Sequence, residues 1–163
     1  MVILGIDPGF SVTGYSILKK DKNQIIMLDH GFIKLPTTQP LDTRVGIFYD
    51  LFVQKIKLYN ISTIALETSF LGKNAQTFLK LGYLRGILYL LAHQYQLKLH
   101  EFAPREVKLS VTGYGAASKE QVAKVLSMLF PAIAQPLKED VTDAIAISLC
   151  GLWQSENKAL FKA

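Results

Sequence analysis

The sequence predicts one α/β domain built on a five-stranded mixed sheet flanked by helices. Three short apolar runs near the N-terminus, joined by short polar connections, are typical of an antiparallel meander. Segments with apolar residues at spacings of three and four, the pattern of amphipathic helices, then alternate with two further buried runs. This alternation is typical of parallel strands linked by helical crossovers. The 163 residues, 50% of them hydrophobic, suffice for one sizeable core. We expect a single domain at residues 1–157 and a short tail at 158–163.

The meander is predicted at residues 2–6, 13–19 and 25–35. The first strand is a nearly continuous apolar run, and the turn sequence Asp7, Pro8, Gly9 ends it. A polar stretch at 20–24 separates the second strand from the third.

The middle of the chain is predicted to be helix, strand and helix. Residues 41–59 form an amphipathic helix with Asp42 or Thr43 near its start. A buried strand follows at 61–66, closed by Glu67, and a longer helix at about 74–96. The stripe of the first helix is Leu41, Val45, Phe48, Phe52, Ile56 and Tyr59, and that of the second is Phe78, Leu81, Leu84, Leu88, Leu91 and Tyr95.

Gly82 and Gly86 lie one turn apart on the longer helix, where missing side chains allow another element to approach closely. Two interpretations are open for them. The helix can pack there against the sheet of its own chain, or against a second copy of the chain.

The last third begins with a predicted strand at 97–102 and a short helix at 104–111, with proline at its first position. A loop at 112–118 leads to Ser118 and Gln121, which have the spacing of a capping box and open another helix. Prolines break the chain at 131–136, and a final helix runs from Asp140 to about Ser155.

Charge and composition restrict the class of protein. The formal net charge of +5 suits a polyanionic partner such as nucleic acid. No run reaches the roughly 18 apolar residues of a membrane span, and no secretory signal opens the chain. Cys150, the only cysteine, lies in an apolar stretch, so we expect a buried, inert thiol in a cytoplasmic protein.

Four carboxylates are predicted to meet in one cluster. A crossover through the helix at 41–59 places the strand at 61–66 parallel to the first strand. Asp7 and Glu67 then end neighbouring strands at the edge where open α/β sheets carry their sites. Asp140 and Asp143 are spaced i, i+3, so a helix presents both on one face.

Such a cluster is typical of a metal-dependent phosphodiesterase. Four carboxylates in a partly desolvated cleft repel each other unless cations lie between them, and oxygen ligands suit magnesium or manganese. Two such ions, about 3.5 to 4 Å apart, can activate water and stabilise the leaving 3′ oxygen of a phosphodiester. The predicted catalytic and metal-binding residues are Asp7, Glu67, Asp140 and Asp143.

Each acid also has an ordinary structural explanation. Asp7 is a common residue type in a turn, and Glu67 can be a solvated strand end. Asp140 and Asp143 can cap a helix and oppose its dipole. Only the combination favours a site.

Several motifs follow one another along the chain: Gly5-Ile-Asp-Pro-Gly9 with Thr13-Gly-Tyr15, Ala65-Leu-Glu67 with Phe70-Leu-Gly-Lys-Asn74, Leu81-Gly82 with Arg85-Gly86, Ala103-Pro-Arg105 with Val107-Lys108, and Asp140-Val-Thr-Asp-Ala144. In type, order and spacing they resemble the RuvC family of crossover junction endodeoxyribonucleases, over nearly the whole chain. Ser16 departs from the family pattern, which has glycine there.

The resemblance implies an RNase H-like fold and a homodimer that binds a four-way Holliday junction. It implies symmetric nicks in two opposed strands that leave 5′-phosphate and 3′-hydroxyl ends, and cooperation with RuvA and RuvB. The four acids match the family's catalytic, metal-binding positions. Lys108 and Lys119 match its functional basic positions, and Phe70 matches an aromatic residue that stacks on a base at the opened crossover.

The remaining site predictions concern DNA contacts. Stacking of Phe70 on an unpaired base would contribute about 1 to 3 kcal/mol, and its alternative is a hydrophobic staple onto the helix at Asn74. For each predicted phosphate contact, an ordinary solvated charge is the alternative. These contacts are Lys73, Arg85, Arg105, Lys108 and Lys119.

Two other functions are compatible with parts of the pattern. Sugar kinases and actin-like ATPases begin their nucleotide site with a similar strand, acid and glycine turn, but enclose the nucleotide between two such domains. A module that recognises junctions without cutting them would not need four acids. ATP hydrolysis without junction cleavage would favour the first, and a magnesium-dependent cleavage assay decides the second.

Overall fold

The chain folds into a five-stranded mixed sheet with helices on both faces, as predicted. The computed structural model describes residues 1–22, 24–68, 75–133 and 136–160, with side chains described as far as 155. The strands are β1 (Val2–Asp7), β2 (Val12–Asp21), β3 (Gln24–Lys34), β4 (Thr63–Glu67) and β5 (Lys98–Phe102). The helices are α1 (Leu41–Tyr59), α2 (Ala75–Gln94), α3 (Pro104–Thr112), α4 (Lys119–Leu129) and α5 (Glu139–Leu160).

The strand order β3-β2-β1-β4-β5 combines an antiparallel meander with a parallel half. β1 pairs with β2, and β2 with β3, in antiparallel register. β4 is parallel to both β1 and β5, because α1 carries the chain back before β4 and α2 does so between β4 and β5. Ile6 lies opposite Leu66, so Asp7 and Glu67 follow side by side at the same edge.

The two faces of the sheet have separate cores. Ile3 and Ala65 pack towards α3, α4 and α5, whereas their neighbours Leu4 and Ile64 pack towards α1 and α2. Because side chains alternate along a strand, Asp7 and Glu67 fall on the same face as Ile3 and Ala65. The strand ends therefore direct both carboxylates to the side of the sheet that α5 covers.

Several element ends differ from the predictions, because pairing sets them. β4 begins at Thr63 instead of 61, where its partner Ile3 is available on β1. β2 extends from Val12 to Asp21 because β3 continues to pair with it beyond 13–19. α5 begins one residue earlier than predicted and runs on to Leu160.

The helix starts follow their local chemistry. At α4 the predicted capping box is confirmed: Gln121 N donates to Ser118 Oγ at 3.3 Å, and Ser118 N donates to Gln121 Oε1 at 2.8 Å. Asp42 lies in the first turn of α1 as predicted, but the helix starts after Pro40 without a side-chain cap.

The predicted stripe of α2 is only partly buried. Leu84, Leu88 and Leu91 are buried, whereas Phe78 is 38% exposed. Of the two interpretations left open for Gly82 and Gly86, packing against the sheet of the same chain is not observed among the described residues, where a Cβ added to either glycine would meet no atom within 4 Å beyond the neighbouring turns of its own helix. A groove of about 770 Å³, also lined by residues of α1, separates the two helices at these turns.

Cys150 is fully buried in α5, as predicted, and this burial raises the pKa of its thiol.

Among the helices of the described ranges, none has the length and apolar character to cross a lipid bilayer.

Candidate active site

The turn after Asp7 is fixed from two sides. Gly9 N donates to Thr13 Oγ1 at 3.2 Å, and the same hydroxyl donates to Gly9 O at 2.9 Å. On the other side, Arg44 of α1 donates from Nη2 to Phe10 O, and its guanidinium lies 3.9 Å from the centre of the Phe10 ring. Asp7 therefore ends its strand on a backbone that the fold holds in place.

Arg44 was not recognised from the sequence. Its signal is a charged residue within the apolar stripe of α1, four residues before Phe48, and its side chain is only 8% exposed. A buried charge on such a stripe requires a partner, and here the partner is the turn that follows Asp7.

Two glycines allow α5 to lie directly on the sheet beside Asp7. A Cβ added to Gly14, the β2 partner of Asp7, would lie 2.0 Å from Asp140 O. A Cβ added to Gly5 would lie 2.4 Å from Ala144 O. The first turns of α5, with Asp140 and Asp143, are thus placed over the strand end that carries Asp7.

Ser16 adds a polar contact to this junction of β2 and α5. Its buried hydroxyl donates to Ala144 O at 2.9 Å and lies 2.7 Å from Ser148 Oγ. The residue that departs from the family pattern thus has hydrogen-bond partners on α5, and it helps to hold the helix that carries two of the acids.

The four acids interact electrostatically. Burial, followed by the Asp143, Asp140 and Glu67 carboxylates, raises the pKa of Asp7 from 3.8 to about 7, and Lys119 opposes the shift. Burial and Asp143 also raise the pKa of Glu67, against the opposing effect of Lys119 and Lys108. The cluster therefore holds more negative charge than its surroundings compensate.

Lys108 and Lys119 lie beside the acids. Both line a cavity of about 210 Å³ together with Glu67 and Asp143. Lys119 Nζ is 3.3 Å from Asp143 Oδ2 and also forms an ion pair with Glu139, while its side chain stays 58% exposed. The site thus combines acids with two cationic groups that face the same space.

The donor set fits a hard divalent cation. Within the described residues, no three aspartate, glutamate, histidine or cysteine side chains lie close enough together to form a complete metal-binding cluster. Asp143 Oδ2 lies 3.3 Å from Lys119 Nζ, so a cation at this site would compete with that lysine for the carboxylate. Carboxylate oxygens are the preferred ligands of magnesium, and the raised pKa of Asp7 indicates the charge imbalance that a cation would offset.

The other predicted site residues are distributed differently. Arg105 is exposed at the start of α3. Arg85 is directed inward, where its guanidinium binds the Glu67 carbonyl and the Glu101 carboxylate. Phe70 and Lys73 lie outside the described residues, so their predicted contacts stay predictions.

Sheet order and flanking helices define the class as an RNase H-like fold with a carboxylate site at the end of its parallel strands. A Thermus thermophilus RuvC in complex with a Holliday junction substrate superposes with a TM-score of 0.90. The match covers 97% of this chain and 96% of that one, and at 24% identity it establishes the fold. The structure of Thermus thermophilus RuvC on its own gives a TM-score of 0.86.

The chain belongs to the RuvC family. The family model described as crossover junction endodeoxyribonuclease RuvC matches residues 3–151. The crossover junction endodeoxyribonuclease RuvC of Chlorobium phaeobacteroides is 42% identical over 159 residues, which cover 98% of this chain and 85% of the relative. That of Pelodictyon phaeoclathratiforme is 42% identical over 163 residues, covering 100% and 85%.

Proposed function

We propose that this protein resolves four-way DNA junctions in homologous recombination and repair, by paired symmetric nicks that leave 5′-phosphate and 3′-hydroxyl ends. The observation that carries the proposal is the juxtaposition of Asp7 and Glu67, on adjacent parallel strands, with Asp140 and Asp143 of α5. Membership of the RuvC family supplies the choice of a junction as the substrate.

The four acids would hold two magnesium ions, for which manganese is a substitute. Bound magnesium supplies the Lewis acidity that attack of water on a phosphodiester requires. Asp7, as the most strongly perturbed acid, has to lose its proton to act as a ligand. Lys119, which is largely exposed beside Asp143, is free to exchange this partner for a substrate phosphate and stabilise its developing charge.

The DNA surface in this proposal extends around the acids. Lys108, Lys119 and Arg105 would contact phosphates from α3 and α4, and they would fix the position of the strand without reading its sequence. Lys73 is proposed as a further phosphate contact, and Phe70 as the stacking residue at the opened crossover.

Symmetric cleavage requires a second active site, so we propose a homodimer formed through α2. The groove at Gly82 and Gly86 provides room for close approach of another helix. A helix that is apolar on all sides is normally covered by another element. The exposed apolar residues of α2 are Phe78, Leu79, Tyr83, Tyr89 and Leu90.

We further propose residues 1–157 as one nuclease domain with a short tail at 158–163, acting in the cytoplasm with RuvA and RuvB. The support for these partners and for the location is the family resemblance and the DNA substrate.

Cleavage of a synthetic mobile four-way junction tests the function. With magnesium the parent protein should nick the junction symmetrically and leave a linear duplex of the same sequence largely intact, and chelation by EDTA should stop cleavage. Asp7→Asn should bind the junction but not cut it, because binding depends on the basic surface and chemistry on the acids. Full cleavage by Asp7→Asn, or equal cleavage of the linear duplex by the parent, would refute the proposal.

A further inference from the structure

Arg85 on α2 connects the end of β4 to β5 at the carboxylate site. We propose that Arg85 is a positioning residue for Glu67, so that it acts on cleavage through the geometry of the acid cluster and not through a phosphate contact. This inference rests on the proposed function, since it assigns Arg85 a part in that same site.

The guanidinium is engaged in contacts within the protein. Arg85 Nη1 donates to Glu67 O at 2.7 Å, and Nη2 forms an ion pair with Glu101 Oε1. Tyr89, one turn further along α2, donates from its hydroxyl to the same Glu101 oxygen at 2.6 Å. The Arg85 side chain is only 11% exposed, which leaves little of it accessible to a DNA phosphate.

The Glu67 carbonyl needs such a donor because the parallel ladder stops there. The last pairs are Ile6 with Leu66 on one side of β4 and Glu67 with Phe102 on the other. Thr68 N still donates to Phe102 O at 2.8 Å. The carbonyl of Glu67 and the N–H of Thr68 belong to one peptide unit, so Arg85 and β5 together fix that peptide.

Fixing this peptide fixes the direction in which Glu67 leaves the strand. Glu67 lines the cavity with Asp143, Lys108 and Lys119, so a shift of this peptide would displace the Glu67 side chain relative to those groups. Reactive groups must be held to within about 0.5 Å, and a misplacement of about 1 Å can lower a rate roughly 100-fold. The ion pair with Glu101 in turn orients the guanidinium, because Glu101 is anchored in β5 opposite Leu66.

The test separates positioning from DNA contact by measuring cleavage and binding independently. Arg85→Met should lower the single-turnover cleavage rate at saturating protein by about 10- to 100-fold. Its affinity for the junction, measured with calcium in place of magnesium, and the salt dependence of that affinity should match the parent. The magnesium concentration that gives half of the thermal stabilisation should rise, which is a readout independent of cleavage.

Two further variants and a control sharpen the comparison. Arg85→Lys, which keeps one charged donor, should recover part of the rate. Glu101→Gln removes no positive charge that could contact a phosphate, and it should show the same pattern as Arg85→Met in weaker form. Lys57→Met removes one positive charge from the exposed end of α1, at the opposite edge of the sheet, and should leave both rate and affinity unchanged.

The opposite outcome would assign Arg85 to the DNA. In that case Arg85→Met would weaken binding to the junction. The slope of its log affinity against log salt concentration would fall by about the contribution of one phosphate contact, and the variant would cleave at the parental rate at saturating protein. An Arg85→Met protein that does not fold leaves the decision to Arg85→Lys and Glu101→Gln, with the same two outcomes. A parent that does not cut junctions would refute the proposed function itself, whereas these variants test only the role of Arg85.

Discussion

At the scale of single residues, the main feature of the site is the raised pKa of Asp7. Asp7 is partly buried at a strand end, and three other carboxylates raise its pKa further, to about 7. In the unfolded chain the same group has an ordinary pKa near 4. Folding therefore works against ionisation of Asp7, and the stability of the metal-free protein should depend on pH.

The sign of this dependence follows from proton binding. Between about pH 4 and pH 7 the folded state binds more protons at Asp7 than the unfolded state does, so stability from this group is lost as pH rises through that range. Asp7→Asn, which cannot ionise, should have a higher free energy of unfolding than the parent at pH 8, by on the order of a few kcal/mol.

Urea unfolding in EDTA at pH 4 and pH 8 measures the effect. The advantage of Asp7→Asn at pH 8 should largely disappear at pH 4, where the parent carboxyl is also neutral. An equal difference between the two proteins at both pH values would contradict a destabilising ionisation of Asp7.

At the scale of elements, the contact of α5 with β1 and β2 decides whether the acids meet. The helix backbone approaches so closely that Gly14 has no room for a side chain. Ser16 and Ser148 provide a polar contact within the same junction. Small residues on the strands thus allow α5 to pack closely against the sheet, and their size controls the distance between Asp7 and Asp140.

Gly14→Ala should therefore displace the start of α5. The added Cβ would overlap Asp140 O, so we expect a loss of about 1 to 3 kcal/mol in stability and a larger loss in cleavage than in junction binding. The matched control is Gly46→Ala in α1, where a Cβ would meet no atom of the described residues within 4 Å beyond the neighbouring turns of its helix, and it should stabilise by up to about 1 kcal/mol. Chemical unfolding and single-turnover cleavage measure both, and parental cleavage by Gly14→Ala would show that α5 adjusts freely.

The elements themselves were largely predictable from local patterns. Apolar periodicity gave the type and order of the strands and of the helices, and the Ser118 capping box gave the start of α4. The ends of β2 and β4 were not predictable to the residue, because they depend on which partner residues remain available for pairing. The exposure of Phe78 was missed for a related reason, since periodicity does not reveal how far the covering elements extend.

At the scale of the whole molecule, the apolar outer side of α2 is the surface that a second subunit would cover. Leu79 is 56% exposed and lines a second groove between α1 and α2, which shares Leu41 and Tyr83 with the groove at Gly82 and Gly86. Substitution of Leu79 should therefore not disturb the folded chain. Leu79→Glu should weaken the dimer, because it introduces charge into an interface that buries apolar area.

Sedimentation at micromolar concentration measures this prediction. The parent should be a dimer and Leu79→Glu a monomer that makes unpaired nicks. Leu58→Glu, at a residue that is 64% exposed near the end of α1, is the matched control and should remain a dimer. A dimeric Leu79→Glu protein would place the interface elsewhere.

The sequence by itself determined which acids belong together, because each signal was local: two acids after apolar runs, a crossover helix of sufficient length, and an i, i+3 pair. Only the tertiary structure decided the raised pKa of Asp7, the contact of Lys119 with Asp143, and the inward direction of Arg85. These properties depend on distances through space between groups far apart in the chain, such as Ser16 and Ala144, which are 128 residues apart. Side-chain periodicity carries no information about such distances, whereas packing of α5 on the sheet fixes them.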